Sequence, residues 1–468
     1  MNKYQNTYCN PIPLPDYPIG RDYFENNGNM YNCWRETADP TVIFYENKWY
    51  LYPSCGTVYV SDDFKTWKHF DLVPEDTGYA PTVVHHKGKF LMAASLSPEL
   101  LVTDSPLGPF VSAGRFKDTA GKERSFFDPM LFSDDDGRLY LYEGAVPGKS
   151  VSGCELDSDN PTDMVTEMKS LFKFSPENVW ERSGEYNQYS DISYLEGPYL
   201  YKKNGIYYLT YVAPGTEYSS YSMGAYKSTN PLGDFVPQKN NPFLSRKNGL
   251  VRGPGHGCIT DGPGNSTWVF YTCTVCYEYM FERRIGMDLV TINEDNDLCV
   301  NHVSDTPMYC ASALPAAGQN STGLVSVTAR EKVFADSYTE GRNAIYAVDE
   351  SMLTWWQPRK DKTEPTLHVY LKSYVEVCAY RVIFKDVGMD VKTGIMPGPF
   401  GYIVEGVCEN GEVRILADKR NSDEDMIINY GVFDVVKVKE LRLRLTKKPE
   451  GIEPGVIDFS VFGNYKIK

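Results

Sequence analysis

The sequence lacks any long apolar run and any excess of positive charge. Each of these absences excludes a class of protein function. No apolar segment approaches the length of a membrane span, and residues 1–6 lack the apolar core of a secretory signal. The 62 acidic and 47 basic side chains give a net charge of −15, which repels nucleic-acid backbones and anionic lipid. We therefore expect no nucleic-acid partner and no membrane association. The sequence as it stands predicts a cytoplasmic protein, or a secreted or periplasmic one if a signal peptide has been removed.

Cysteine lacks the dense, even spacing of a disulfide scaffold. Eleven Cys is an odd number, which excludes a complete set of disulfides and predicts free thiols. Cys273 and Cys276 have CxxC spacing, but they lie in a strand-like segment, where a separation of three puts two side chains on opposite faces. We expect no metal or redox role for this pair.

Helical periodicity is scarce, and a repeated strand pattern takes its place. Pro40, Pro81, Pro129, Pro198 and, more loosely, Pro254 each open an apolar run, a polar turn and an aromatic-rich run. The intervals of 41, 48, 69 and 56 residues are typical of small sheets repeated around an axis. The aromatic fraction of 14%, led by 35 Tyr, suits half-buried strands and also supplies stacking faces for sugars. We predict an all-β fold that begins with a five-bladed β-propeller.

A second domain is expected because 468 residues exceed what one hydrophobic core normally serves. The small-residue stretch at 311–323 interrupts the repeat, so we assign the propeller to 1–318 and a second domain to 319–468. That second part alternates strands and turns in the manner of a β-sandwich.

Acidic side chains recur at the start of the predicted blades. The inner strands of a propeller surround its axis, so residues at the same end of each repeat converge on one mouth. Asp39, Asp128 and Glu196 stand at that end together with His256, and blade two offers Tyr79. Three carboxylates from three blades therefore face one partly enclosed funnel.

Such a cluster holds an acid and a base side by side. Repulsion and desolvation keep one carboxyl protonated near neutrality, while a better solvated or hydrogen-bonded one stays ionised. Cleavage of a glycosidic bond needs this pair. For any single Asp, the alternative is that it stands at the end of a strand and caps a backbone amide. Three carboxyl groups at equivalent repeat positions favour the catalytic interpretation.

Five motifs carry a family resemblance. They are Ala38-Asp39-Pro40, Tyr79-Ala80-Pro81, Phe127-Asp128-Pro129, Leu195-Glu196-Gly197-Pro198 and Gly255-His256-Gly257. In this order, over about 300 residues, they resemble glycoside hydrolase family 43. The resemblance implies a five-bladed propeller and an inverting hydrolase with Asp39 as general base and Glu196 as general acid. It implies that Asp128 orients the acid and tunes its pKa.

Further residues are expected to bind the sugar. The family commonly has Trp where this chain has Tyr79, and the exchange keeps a stacking face. One of Arg283 and Arg284 resembles the family's late arginine; because a strand alternates its faces, we expect the other to be a solvated surface charge. Trp34 and Phe127 are further candidates for the pocket wall, and a place in the core is the alternative for each.

His256 is the candidate metal residue. It matches a family position near the axis that often holds Ca²⁺ through a water shell, although histidine is not a usual direct ligand of this hard cation. A core histidine hydrogen-bonded between inner strands is the alternative. We expect no organic cofactor.

The C-terminal part carries a second resemblance, over about 130 residues. Residues 347–356, the basic strand near 441 and the closing segment 461–463 resemble discoidin or coagulation-factor type C modules, which have a galactose-binding-like jelly roll. This implies a possible carbohydrate-binding module; a purely structural sandwich packed on the propeller is the alternative. Trp355 and Trp356 are adjacent, so we expect one to face inward and the other to pack on the neighbouring domain or a sugar.

The first resemblance implies an oligosaccharide or polysaccharide substrate. Plant-type pentose glycans come first, with exo action on an α-L-arabinofuranoside or a β-D-xyloside, and β-galactan stays open. Retaining fructan hydrolases are disfavoured because their Asn-Asp-Pro-Asn signature is absent around Asp39. A non-catalytic glycan-binding propeller is the alternative from another class. Nothing in the sequence fixes the oligomeric state.

Overall fold

The structure is a computed structural model that describes residues 3–18, 35–54, 56–74, 77–274 and 281–465. Strands dominate these ranges, which confirms the all-β prediction. Within them no helix is long and apolar enough to cross a membrane. The described helices are single 3₁₀ turns at Val179–Glu181, Pro263–Asn265, Ala311–Ala313, Ala344–Ala347 and Val391–Thr393.

Five antiparallel sheets follow one another along the chain and form the blades. Blade one consists of Thr41–Tyr45, Lys48–Tyr52, Thr57–Ser61 and Lys68–Asp71, and blade two of Tyr79–His86, Lys89–Ser95, Glu99–Thr103 and Val111–Arg115. Blade three consists of Met130–Ser133, Leu139–Glu143, Ser150–Leu156 and Lys169–Lys173. Blade four consists of Glu196–Lys203, Ile206–Ala213, Ser222–Ser228, Val236–Pro237 and Leu244–Ser245, and blade five of Gly255–Asp261, Thr267–Thr274, Arg283–Ile292 and Leu298–Val300.

The first strand of each blade contacts the first strand of the next, and that of blade five contacts that of blade one. The ring is therefore closed, and the predicted five-bladed propeller is confirmed. Local sequence explains the hairpins. Glu46 and Asn47, and likewise Asn204 and Gly205, occupy two-residue turns with positive φ at both positions, the turn geometry that suits the twist of antiparallel strands.

Each blade opens on a residue with left-handed backbone. The φ angles are 53° for Asp39, 46° for Ala80, 47° for Asp128, 50° for Gly197 and 28° for His256. The first four directly precede the repeated prolines. In blade five Gly257 occupies the proline's place, so the repeat is in phase at His256 rather than at the loosely matched Pro254. These five residues surround the axis at one end of the propeller.

The C-terminal sheet contains seven strands, which are Val325–Ser326, Lys332–Ala335, Thr366–Val387, Gly401–Cys408, Val413–Asp418, Ile428–Lys447 and Glu453–Asn464. The two longest strands pair through register shifts that lie between Tyr370 and Val375 and between Val377 and Ala379. Such shifts bend strands, and they let one long strand serve both layers of a sandwich. The all-β sandwich is as predicted, and the boundary at residue 318 stays a prediction.

Trp355 and Trp356 are both buried, so neither indole is exposed to a sugar, and packing of one of them on the neighbouring domain stays a prediction. Trp356 donates its indole N–H to the Ser337 carbonyl at 2.9 Å. Trp355 is covered instead by two cations, with the Arg342 guanidinium 3.3 Å from its ring centre and the Lys385 ammonium at 4.9 Å. Cation–π contacts with two side chains of the C-terminal domain thus cover the Trp355 ring.

The eight described cysteines are free thiols, as predicted. Cys276, the second residue of the CxxC pair, lies outside the described residues, and Cys273 is buried in blade five.

Candidate active site

A cavity of about 900 Å³ opens at the end of the propeller where the first strands begin. Side chains from all five blades line it, and they include most of the residues that the sequence singled out. Those are Asp39, Tyr79, Phe127, Asp128, Glu196, His256 and Arg283. The convergence argued from the repeat therefore holds for these seven residues.

Asp39 is buried and surrounded by donors. The Ser54 hydroxyl donates to its Oδ2 at 3.0 Å, and the two terminal nitrogens of Arg283 lie 3.2 Å from Oδ1 and Oδ2. Burial alone would raise the pKa of Asp39, but the charges of Arg283 and His256 and the Ser54 hydrogen bond bring that pKa below its usual value. Asp39 is therefore held as a carboxylate.

His256 lies between Asp39 and Asp128. Its Nδ1 is 3.2 Å from Asp39 Oδ1 and 3.8 Å from Asp128 Oδ2. Gly197 makes this position possible, because a Cβ on Gly197 would lie 2.5 Å from the His256 ring. The Gly197 amide donates instead to Asp128 Oδ2 at 3.3 Å. Burial raises the pKa of Asp128, His256 opposes the rise and the charge of Asp39 adds to it.

Glu196 has the opposite electrostatic environment from Asp39. Its Oε2 accepts one hydrogen bond, from the Tyr221 hydroxyl at 2.9 Å. Burial and the nearby charge of Asp128 raise the pKa of Glu196 well above its usual value, and the Tyr221 hydrogen bond opposes them only in part. Glu196 therefore retains a proton at a pH where Asp39 has lost its own.

Arg283 and Arg284 point in opposite directions, which settles the choice that the sequence left open. Arg283 lines the cavity and is paired with Asp39. Arg284 lies on the other side of the strand, where its guanidinium covers the Tyr17 ring at 4.7 Å and donates to the Arg35 carbonyl. The prediction of a solvated surface charge was wrong, since Arg284 is only 1% exposed.

Glu36 is a residue of this site that the sequence did not single out. It is fully buried, and its Oε1 accepts from Arg283 Nε and from the Tyr79 hydroxyl, each at 2.7 Å. Burial raises the pKa of Glu36 to about 7, Arg283 lowers it, and Asp39 raises it. One carboxylate behind the cavity wall thus fixes both the arginine beside Asp39 and the predicted stacking residue.

Of the remaining candidates, Phe127 packs against Tyr194 on the cavity wall with ring centres 6.2 Å apart. Trp34 lies outside the described residues.

Calcium at His256 stays a prediction. Among the described residues, no three His, Cys, Asp or Glu side chains are grouped as metal ligands. Nδ1 of His256 is directed at the carboxylates of Asp39 and Asp128. A ring nitrogen is also not the oxygen ligand that a directly bound calcium ion prefers.

A protein-family model described as "Glycosyl hydrolases family 43" matches residues 34–298, more than half of the chain. The protein named beta-D-galactofuranosidase from Aspergillus niger is 25% identical over 303 residues, which cover 56% of this chain and 81% of that protein. Xylosidase/arabinosidase 43B of Humicola insolens is 29% identical over 167 residues, which cover 34% of this chain. The match takes in only 28% of that relative's own length.

Solved structures share the fold. A structure titled as a thermostable family-43 glycoside hydrolase has 24% identity and a TM-score of 0.51, and the match covers 64% of this chain and 98% of that one. Another, titled "Glycoside hydrolase", has 17% identity and the same TM-score of 0.51, with 91% of this chain and 97% of that one covered.

Proposed function

The chain belongs to glycosyl hydrolases family 43 and is a glycoside hydrolase, and from that premise we propose that it is an inverting, exo-acting enzyme on plant-type pentose glycans. One observation carries the proposal. Two carboxyl groups of one cavity, Asp39 and Glu196, have pKa values displaced in opposite directions. An acid and a base at the same pH are what hydrolysis by inversion requires.

In the proposed reaction, Asp39 removes a proton from a water whose oxygen attacks the anomeric carbon. The bond between that carbon and the bridging oxygen breaks, and Glu196 delivers its proton to the departing oxygen. The products are the sugar with inverted configuration and the free alcohol. Inversion requires the carboxyl groups of Asp39 and Glu196 to be roughly 6.5–9.5 Å apart, because the attacking water must fit between the base and the sugar.

The neighbours of this pair support the assignment. Asp128 adds negative charge near Glu196, which favours the protonated acid. Arg283 and Ser54 hold Asp39 ionised and fix its direction. We propose that Asp128 tunes and orients the acid, and that Tyr79 and Phe127 bind the sugar at the cavity wall.

The sugar itself is proposed from the names of relatives. Proteins named xylosidase/arabinosidase in Humicola insolens and Bacteroides ovatus favour an α-L-arabinofuranoside or a β-D-xyloside. The Aspergillus niger relative is named as a β-D-galactofuranosidase and matches over 81% of its length, so this sugar is the second candidate.

The test is turnover of a panel of nitrophenyl glycosides, namely α-L-arabinofuranoside, β-D-xyloside and β-D-galactofuranoside. We expect release from at least one of them, and NMR during the first turnovers is expected to show the inverted anomer. An initial product of retained configuration would contradict inversion. A folded protein that binds sugars in calorimetry but cleaves none of the panel would contradict the proposed sugars.

Glu36 gives a prediction specific to this chain. Glu36→Ala removes an acceptor that Arg283 and Tyr79 share, and we expect kcat/KM to fall about 10²-fold because the arginine that pairs with Asp39 is then less firmly positioned. Glu36→Gln keeps an acceptor oxygen without the charge, and a loss of roughly tenfold is expected. Initial rates on the best nitrophenyl glycoside measure both.

The control is Glu181→Gln. Glu181 is an equally buried carboxylate that accepts from the Tyr211 hydroxyl and does not line the cavity. We expect its replacement to change the melting temperature and leave kcat/KM at the parental value. If Glu36→Ala is folded and as active as the parent, Glu36 has no positioning role.

A further inference from the structure

The segment that carries the proposed base is tied to the C-terminal sandwich through one arginine. Arg35 is 2% exposed, and its Nε donates to Asp386 Oδ2 at 2.9 Å. Its terminal nitrogens donate to the two oxygens of Asp425 at 2.5 and 2.6 Å. Asp386 lies in strand Thr366–Val387, and Asp425 lies just before strand Ile428–Lys447. Both carboxylates therefore belong to the C-terminal sandwich.

The backbone of the same segment is fixed to the propeller. The Arg35 amide donates to the Pro18 carbonyl at 3.1 Å, and the Thr37 amide donates to the Arg283 carbonyl at 3.2 Å. The Asp39 amide donates to the Thr272 hydroxyl at 2.7 Å. Residues 35–39 thus form a short bridge with the sandwich at one end and the cavity at the other.

Successive side chains of this bridge point to different partners. Arg35 faces Asp386 and Asp425, whereas Glu36 faces Arg283 and Tyr79. Arg35 has left-handed backbone with φ 64°, which turns the chain between the two directions. Only three residues, one of them Glu36, separate Arg35 from Asp39.

We infer that the C-terminal sandwich positions the catalytic base. Asp386 and Asp425 fix the guanidinium of Arg35. Arg35 in turn fixes residues 35–39, so that Asp39 stays beside Arg283 and His256. This role rests on the proposed hydrolysis, and it is independent of any glycan that the sandwich binds. Arg35, Asp386 and Asp425 are positioning residues, since they act on the reaction only through Asp39.

The chemistry of the contact favours positioning. A guanidinium that binds one carboxylate with two nitrogens and a second with its Nε is fixed in direction as well as in distance. The two domains have other anchors that would survive its loss. Buried Arg381 pairs with Asp458 at 2.8 Å and donates to the carbonyls of Asn10 and Asp305, each at 2.7 Å. Neutralising Asp386 and Asp425 therefore leaves much of the interface in place.

The experiment uses the full chain with Asp386→Asn, Asp425→Asn and both together. We expect kcat on the best nitrophenyl glycoside to fall roughly tenfold in each single variant and about 10²-fold in the double variant, with KM little changed. Arg35→Lys keeps the charge but not the fork, and we expect it to resemble the double variant. The matched control is Glu405→Gln, because Glu405 pairs with Arg444 within the C-terminal sheet.

The pH profile separates positioning from stability. The groups that face Asp39 are the hydroxyls of Ser54 and Thr272 and the titratable or charged side chains of Glu36, Asp128, Glu196, Tyr221, His256 and Arg283. If the bridge moves, Asp39 loses the cations that lower its pKa, and the acidic limb of kcat/KM shifts to higher pH. A merely structural contact would lower the melting temperature and leave the limb where it was.

Hydrogen exchange gives a readout that needs no turnover. Peptides covering residues 36–43 are expected to exchange faster in the double variant than in the parent, and Glu405→Gln is expected to match the parent. Parental kcat, pH limb and exchange in the double variant would overturn the inference. A parent without glycosidase activity would defeat the proposed function, and the exchange rates would still decide whether the sandwich holds this segment.

Discussion

Replacement of Asp39 by asparagine is expected to lower kcat/KM by about 10³–10⁴-fold, near the upper range for loss of a general base. The amide has the shape of the carboxylate but cannot take a proton from the attacking water. The fold should persist, since asparagine adopts left-handed backbone readily and position 39 has φ 53°. Initial rates on the best nitrophenyl glycoside and circular dichroism melting measure the two effects.

The matched control for this variant is Asp288→Asn. Asp288 is as deeply buried as Asp39, but it accepts hydrogen bonds from Ser304 and Tyr271 and does not line the cavity. Its replacement is expected to cost stability and to leave kcat/KM unchanged well below the melting temperature. An Asp39→Asn variant with more than about one tenth of the parental activity would fall far short of the loss expected for a base and would remove it from that role.

Glu196→Gln is expected to lose activity only where the leaving group needs a proton. On a disaccharide substrate we expect kcat/KM to fall by about 10²–10⁴-fold. With a dinitrophenyl leaving group, which departs as a stable anion, the loss of kcat/KM should be within roughly tenfold because this leaving group needs no proton from Glu196. The comparison of the two substrates in one variant cancels differences in folding and concentration.

The pH profile of the same variant follows from the directions of the two pKa shifts. In the parent, activity rises as Asp39 ionises at a pKa below its usual value and falls as Glu196 loses its proton at a pKa well above its own. Glu196→Gln removes the second titration, so the alkaline limb should disappear and the acidic limb should stay. Glu217→Gln, at a carboxylate on the same cavity wall, should keep both limbs but move the alkaline limb to lower pH, because the charge of Glu217 helps to raise the pKa of Glu196. An equal loss on both leaving groups would assign the proton donor elsewhere.

Much of the propeller could be predicted because each blade is a local unit. The alternating apolar and polar residues of the strands and the turn residues between them lie within a few dozen residues of one another. The repeat is therefore recognisable from the sequence. The convergence of Asp39, Asp128 and Glu196 followed from closure of the ring alone. The phase of blade five was less clear, since Gly257 stands where the other blades have proline. The sequence placed His256 at the same end as Asp39, and the positive φ of His256 gives the position at which the repeat is in phase.

The contacts that complete the site could not be predicted in the same way. Glu36 is joined to Arg283 across 247 residues, and alternation alone could not choose between Arg283 and Arg284. The guanidinium of Arg284 packs on Tyr17, which lies in the segment before blade one. Arg35 meets Asp386 and Asp425 across 351 and 390 residues, a separation at which no local pattern in the sequence indicates a partner.

The left-handed residues around the axis also bear on how this enzyme can evolve. Asp39, Ala80, Asp128 and His256 adopt backbone angles that non-glycine residues usually avoid, at a typical cost of about 1–3 kcal/mol each. The surrounding structure must offset that cost, so the backbone at this end of the cavity is held in place at the expense of stability. Glycine would relieve the strain at three of these positions only by deleting a functional side chain. Substitutions that raise the melting temperature at these positions would therefore lower catalytic activity. Mutations that increase thermostability should instead occur elsewhere in the protein.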